Sequence, residues 1–462
     1  MPCCATVSQL AEVLKAQPIN LSASALTSST SITTDTRSIK PGELFVALRG
    51  ENFDGHDFVQ VAIDKGAIAA IVDFKFTSSE LPLLQVEDTL QAYQKIAQWW
   101  RKQFSIPVIG ITGSVGKTTT KELVAALLAT QGKVLKTQAN FNNEIGVPKT
   151  LLELGAEHDF AVIEMAMRAK GEIAILTQIA SPTIGVIVNV GTAHIGRLGS
   201  EQAIANAKCE LLDQMPNSST AILNCDNTRL MNTAAQFWQG QTITYGLTGG
   251  DLQGELLDND TMQVRGVKLP LPLPGKHNAS NFLAALAVAE ALKINWQSFA
   301  ANLVINMPQG RSQRYELAND IVILDETYNA GLESMLASLQ LLAQTTGKRK
   351  IAVLGAMKEL GDKSLDFHAQ VGAMAQKLNL DSLFVLIDGA DAEAMAKAAN
   401  PLPAECFSTH ADLVKRLHEF VQAGDRILFK ASHSVGLDRV VNALSNSGGN
   451  SQNPRVNQFR SP

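Results

Sequence analysis

The sequence predicts an α/β protein of three units built on parallel sheets, with boundaries at 1–104, 105–313 and 314–447 and a polar tail over 448–462. Three observations carry this expectation. Apolar runs without polar alternation recur along the chain, as parallel strands covered on both faces require. Segments of helical periodicity lie between them. A chain of 462 residues exceeds one ordinary core, so roughly two to four domains are expected.

In the first unit LFVAL (44–48) and AIAAIVDF (67–74) read as strands, with FVQVAIDKGA (58–67) as a helix between them. LQAYQKIAQWWRKQF (90–104) reads as a helix that closes the unit. The second unit is more regular. IPVIGIT (106–112), DFAVIEMAM (159–167), TIGVIVNV (183–190) and SSTAILNCDN (218–227) are strand candidates. HNASNFLAALAVAEAL (277–292) is a helix opened by small polar residues. In the third unit DIVILDE (320–326), KIAVLGA (350–356), LFVLID (383–388) and RILFKAS (426–432) alternate with helical patterns such as GLESMLASLQLLAQ, which suits a Rossmann-like doubly wound sheet. The tail GGNSQNPRVNQFRSP lacks apolar periodicity and is expected to be disordered.

Composition excludes several classes. A net charge of −5 gives no broad electrostatic reason to bind nucleic acid or an anionic membrane, so an anionic ligand must be held by local groups. The five cysteines (Cys3, Cys4, Cys209, Cys225, Cys406) are odd in number and irregular in spacing, which favours a reduced compartment over disulfides or zinc. No segment approaches the about 18 apolar residues of a membrane helix, and the N-terminus lacks a signal-peptide pattern. A cytoplasmic protein without stable membrane insertion is expected.

The segment ITGSVGKTTTKE (111–122), set between a strand and a helix, carries the strongest chemistry. Gly113 and Gly116 let the backbone bend so that amide N–H groups, including those around Ser114 and Thr119, point at phosphate oxygens. Lys117 can reach β- and γ-phosphates, and the Thr118 hydroxyl can bind Mg2+. The usual pattern has a glycine where this chain has Ile111, so the loop is a variant. Glycine turns between strand and helix are common in themselves, and a phosphate loop fits motors, switches and kinases equally well.

Strand ends narrow the choice. Glu164 ends DFAVIE and His194 follows TIGVIVNV, which places both at the carboxyl edge of an open parallel sheet, where ligands bind. A carboxylate and an imidazole there could hold a metal ion against a nucleotide. Taken alone, His194 is an ordinary loop histidine and Lys208 a surface lysine of a helix.

Together these residues resemble the Mur ligases, ATP-dependent enzymes that build the peptide of peptidoglycan precursors for the bacterial cell wall. The resemblance runs from about Asp35 to Asp438. TDTRSIKPGELFVALRGENFDGHDF (34–58) is similar to the module holding the UDP end of the substrate, and NFNNEIGVPKTLL (140–152), DETYNAGLESM (325–335) and LGAMKELGD (354–362) are similar to the dipeptide-adding branch. The resemblance implies ATP with two Mg2+ ions, and a UDP-N-acetylmuramoyl-tripeptide (UDP-MurNAc-tripeptide) to which D-alanyl-D-alanine is added, by a monomer. It assigns Lys117 and Thr118 to phosphates and Mg2+, Glu164 and His194 to metal, and Lys208 to a carbamylated, metal-bridging lysine. Asn278 and Asn281 match an adenine-contacting helix start, and Arg311 an arginine on the transferring phosphate. Asp325, Tyr328 and Asn329 match the motif beside nucleotide and incoming amine, with Lys430 on the dipeptide. Asp35, Arg37 and Ser38 match UDP contacts, and Asn142 and Asn143 peptide contacts. The chain departs from the family at Arg168-Ala169, where an Asn-His pair is usual, at Gly196, where an acid is usual, and at Lys430-Ala431-Ser432-His433, where Lys-Gly-Ser-Arg is usual. Two alternatives are a UDP-MurNAc-dipeptide ligase adding diaminopimelate or lysine, and a nucleotide-regulated binding protein without catalysis. The first lacks its Asp-Asn-Pro-Arg motif here; Asn453-Pro454-Arg455 falls in the tail.

Overall fold

The computed structural model describes residues 3–298 and 300–446; the tail expectation and Asn453–Arg455 lie outside them. Three separate open sheets form the scaffold, with a two-stranded ribbon of Ala5–Thr6 and Ser29–Thr30 beside the first.

The first sheet has five strands in the order Gln17–Ile19, Leu83–Val86, Ala69–Asp73, Leu44–Val46, Ile32–Thr33, parallel except for the first pair. The closing helix, Thr89–Arg101, is capped by Asp88, whose carboxylate accepts from Gln91 N at 2.8 Å. Its apolar face (Ala92, Tyr93, Ile96, Ala97) enters one continuous core with Leu151, Ile163 and Ile179 of the second unit. Its polar ends are fastened there too: Trp100 Nε1 donates to Leu154 O at 2.9 Å and Arg101 Nε to Ala180 O at 3.1 Å. Sharing a core holds these two units in one relative placement.

The second sheet has nine strands. Its parallel part runs Val134–Lys136, Phe160–Glu164, Val108–Thr112, Ile184–Ile187, Thr220–Asn224, Gln241–Gly246, Leu252–Leu256. Thr261–Val264 and Val267–Pro270 extend it antiparallel. The sequence-first strand Val108–Thr112 thus lies between later strands on both sides, and a crevice opens at that switch point beyond the carboxyl ends. The helix Lys117–Leu128 packs on Lys276–Ala291, whose alanine-rich sequence is buried nearly all round.

The third sheet orders its strands Gln313–Leu317, Ile321–Glu326, Asp425–Lys430, Arg349–Gly355, Ser382–Leu386, Ala404–Phe407, all parallel but the first. It has its own core around Ile323, Val353, Phe384 and Phe429. Ile195 packs against both this core and that of the first two units. None of the five cysteines, all among the described residues, is joined in a disulfide. No helix among the described residues is long and apolar enough to cross a membrane.

Candidate active site

A cavity of about 490 Å³ opens where the carboxyl edge of the second sheet meets that of the third. The phosphate loop forms its floor. Gly116 has φ +81° and caps the helix Lys117–Leu128. A Cβ there would stand 2.6 Å from Asn281 Oδ1, so both backbone conformation and space demand glycine. Asn189, just past the strand Ile184–Ile187, clamps the loop. Its Oδ1 accepts from Val115 N at 3.0 Å, its Nδ2 donates to Val115 O at 2.9 Å, and its own carbonyl accepts from Ser114 N at 3.1 Å. The Ser114 hydroxyl accepts from Gly191 N at 2.9 Å. The loop is therefore held in shape by the protein's own hydrogen bonds.

Lys117 folds back over this loop, its Nζ donating to Gly113 O at 2.7 Å. Burial lowers its pKa and Arg311 adds to that, while Glu164 pulls the other way. Thr118 and Thr119 line the cavity beside it. Asn278 and Asn281 line the opposite wall; Asn278 Nδ2 donates to Pro274 O at 2.9 Å, and Asn281 Oδ1 accepts from Thr120 Oγ1 at 3.3 Å.

Glu164 is 2% exposed at the end of its strand. Its Oε1 accepts from Asn142 Nδ2 at 2.8 Å, but its Oε2 is buried with no partner among the described residues. An unsatisfied buried carboxylate oxygen is expensive unless a cation completes it. His194 lines the same cavity with φ +68°. Burial, then Lys117, holds its imidazole pKa below the usual value against the pull of Glu359, which leaves the ring neutral. Nδ1 lies 2.6 Å from Glu359 Oε2 of the third unit. Lys208 stands on the helix Glu201–Gln214, 1% exposed, and is not a surface lysine. Burial, reinforced by Lys117, depresses its pKa well below the ordinary value. No group of three or more His, Cys, Asp or Glu side chains placed to hold a metal ion is present among the described residues. The possible donors are Glu164, His194, the Thr118 hydroxyl and whatever Lys208 becomes.

The third unit and the segment leading into it supply the roof. Arg311 stacks on the Tyr328 ring at 3.9 Å, and His433 stacks against the same ring with centroids 5.3 Å apart. Lys430 Nζ donates to Asn329 O at 3.1 Å and lies 3.7 Å from Glu326; burial lowers its pKa while Glu326 opposes this. Arg311, Tyr328, Asn329 and Lys430 all line the cavity.

Some expected residues sit elsewhere. Asp325 lies beneath the roof, accepting from Thr327 N at 3.0 Å and Thr327 Oγ1 at 2.6 Å; burial raises its pKa against those bonds. It shapes the turn that carries Tyr328. Asn143 accepts from Gly146 N at 2.9 Å and so initiates the helix Gly146–Leu151, while its neighbour Asn142 faces the cavity. Asp35, Arg37 and Ser38 are on the first unit, outside the cavity. Asp35 and Arg37 pair at 2.7 Å, and the Arg37 guanidinium brings the Asp35 carboxyl down to about 2. Lys149, whose ammonium lies over the Phe141 ring at 4.2 Å, also acts on Asp35, which places that pair near the Phe141–Asn142 turn. Sequence reasoning did not single out Asn189, His277, Glu326, Glu333, Lys358 or Glu359, all of which line the cavity. Asn189 alone carried a readable signal, a polar residue at the carboxyl end of a buried strand.

A phosphate loop that confronts cations and carboxylates of a second, separately cored sheet describes an enzyme whose site is completed by docking of domains. Family comparisons give that class a name. The Mur ligase middle domain matches residues 111–289, the Mur ligase glutamate ligase domain 310–433, and the Mur ligase family catalytic domain 28–99. The chain belongs to the Mur ligase family. Within it, the UDP-N-acetylmuramoyl-tripeptide–D-alanyl-D-alanine ligase of Synechocystis sp. is 59% identical over 89% of this chain and 91% of that protein. The crystal structure of MurF from Acinetobacter baumannii superposes with a TM-score of 0.87 at 30% identity, covering 97% of this chain and 100% of that one. MurF from Thermotoga maritima, solved in complex with ADP, gives 0.81 at 30% identity over 90% and 97%.

Proposed function

We propose that this chain is the ATP-dependent ligase that joins D-alanyl-D-alanine to UDP-MurNAc-tripeptide, with ADP and phosphate as by-products. The observation that carries the reading is the meeting of Lys117, Arg311 and Lys430 around one cavity with the unpartnered Glu164 Oε2. The family membership and the 59% identity to a ligase of that name support the choice of substrates.

The chemistry explains the residues. The peptide carboxylate attacks the γ-phosphorus, ADP leaves, and an acyl phosphate forms. The dipeptide amine then adds to the acyl carbon, and the tetrahedral intermediate expels phosphate. Like charges oppose the first step, so cations must surround the phosphates: Lys117 from the loop and Arg311 from the roof. Arg311 is held ready by its stack on Tyr328. Mg2+ would be held by Glu164, His194 and the Thr118 hydroxyl, and it would neutralise phosphate charge. Asn278 and Asn281 border the nucleotide, with Asp325 acting beneath them by fixing the Tyr328 turn. Lys430 and Asn329 receive the dipeptide. The UDP end lies against Asp35, Arg37 and Ser38, and the peptide runs past Asn142, whose turn Asn143 stabilises.

Lys208 suits carbamylation. Burial penalises its ammonium and so favours the neutral amine. The neutral nitrogen adds to CO2 and loses a proton, and the resulting carboxylate faces the positive field of Lys117. It would add a second anionic group to the donor set, beside Glu164.

Water must be excluded from the acyl phosphate, which the roof of the third unit accomplishes by docking. The reading is tested by product analysis with purified substrates. A UDP-MurNAc-pentapeptide formed only with D-alanyl-D-alanine supports it. Turnover of UDP-MurNAc-dipeptide with diaminopimelate or lysine would reassign the chain one step earlier.

A further inference from the structure

The third unit touches the second through two carboxylates that close on one short segment, residues 191–197. Glu333 receives Thr192 N at 2.6 Å on one oxygen and Thr192 Oγ1 at 3.1 Å on the other. Glu359 makes three contacts: its Oε2 with His194 Nδ1 at 2.6 Å, its Oε1 with Arg197 at 3.0 Å, and its carbonyl with Gly196 N at 3.2 Å. Glu359 has φ +64° and His194 φ +68°, so both partners are held in a conformation that L side chains rarely adopt. The approach is closer than any side chain permits: a Cβ on Gly196 would meet Gly361 N at 2.5 Å and Glu359 O at 2.9 Å. Ile195, between His194 and Gly196, packs against both cores at once.

An imidazole that donates Nδ1–H to a carboxylate has its ring plane fixed and its Nε2 turned to a ligand on the other side. Glu359 belongs to a sheet with its own core, so that hydrogen bond exists only while the third unit is docked. From this geometry we infer that Glu359 is a positioning residue, which sets His194 as a metal ligand when the domains close. The inference rests on the proposed role of His194 in holding Mg2+. It makes metal retention depend on docking, so that the phosphates are fully neutralised only when the roof that excludes water is in place. Arg197 shares the same carboxylate but does not itself line the cavity, and its loss therefore isolates the adhesive part of the contact from the positioning part.

The test uses the full chain with a non-hydrolysable ATP analogue and Mn2+ as the probe, with bound metal read by electron paramagnetic resonance. Glu359→Ala should weaken Mn2+ about 10- to 100-fold, as loss of an outer-shell partner does, and Glu359→Gln, which keeps an acceptor, should recover much of that. Arg197→Ala should change affinity by less than about twofold. In turnover, Glu359→Ala should lower kcat with little change in KM for the tripeptide, and excess Mg2+ should restore part of it. Equal losses in Glu359→Ala and Arg197→Ala would reduce the contact to adhesion and overturn the inference. Unchanged Mn2+ affinity in Glu359→Ala would do the same. A wild-type chain that binds nucleotide but no Mn2+ would instead overturn the metal reading of the site, and this inference with it.

Discussion

Gly116→Ala probes the phosphate loop on two independent counts. At φ +81° an added Cβ brings the left-handed penalty of about 1–2 kcal/mol. The same Cβ would stand 2.6 Å from Asn281 Oδ1, so the amide must move and lose its bond from Thr120, worth about 1 kcal/mol. The sum is roughly 2–3 kcal/mol of stability. Gly171 provides the control, because it has φ +91° with open space around its Cβ position. Gly171→Ala should cost about 1–2 kcal/mol only. Urea denaturation of both variants measures the difference, and calorimetry of ATP binding should show a loss for Gly116→Ala alone, since Asn281 lines the cavity. If the two variants are equally destabilised and ATP affinity is unchanged in both, the packing of Asn281 on the loop does not shape the nucleotide site.

Other changes have equally definite outcomes. Lys117→Ala should abolish turnover in a phosphate-release assay, and normal activity would refute the phosphate-loop assignment. Lys208→Ala should lose most activity and regain part with added short carboxylates such as acetate, which stand in for the carbamate; no recovery counts against the carbamate. Gly196→Ala should drive the second and third units apart, so small-angle scattering with ligands bound should show less compaction than the wild type. His368 tests the roof loop by pH. It is fully buried, accepts Met357 N at Nε2 over 2.9 Å, contacts Ser364 O at 2.7 Å, and burial depresses its pKa. The unfolded chain therefore binds the proton more readily, so the stabilising contribution is complete above pH ~6.5 and is lost as pH falls through the lower folded-state value. His368→Gln should flatten thermal stability over that acidic window, and an unchanged slope would refute the linkage.

Sequence reading reached furthest where local chemistry dictates local structure. Val108–Thr112, the loop through Gly116 and the helix from Lys117 announce themselves by a buried run followed by glycines and GKTT. Glu164, His194 and Lys117 came out on one cavity because strand ends of a parallel sheet share an edge. Gln313–Leu317 and Val267–Pro270 escaped because edge strands of mixed polarity (QRYEL, VKLP) present no apolar run. Val134–Lys136 was too short to show a period. Asn143 and Asp325 sit next to cavity residues in sequence, yet their short side chains bind nearby backbone, which motif spacing does not distinguish from ligand contact. Glu333 and Glu359 were invisible for another reason. Their meaning arises from the docking of two separately cored units, and residues 192 and 333 are joined only in space.

The measurement that bears most directly on the whole account is phosphate release from ATP with UDP-MurNAc-tripeptide, comparing D-alanyl-D-alanine with diaminopimelate and lysine as acceptors. Release is expected with the dipeptide alone, together with a UDP-MurNAc-pentapeptide. Tight ATP binding with no release for any acceptor would contradict it, and would make the chain a nucleotide-regulated binding protein.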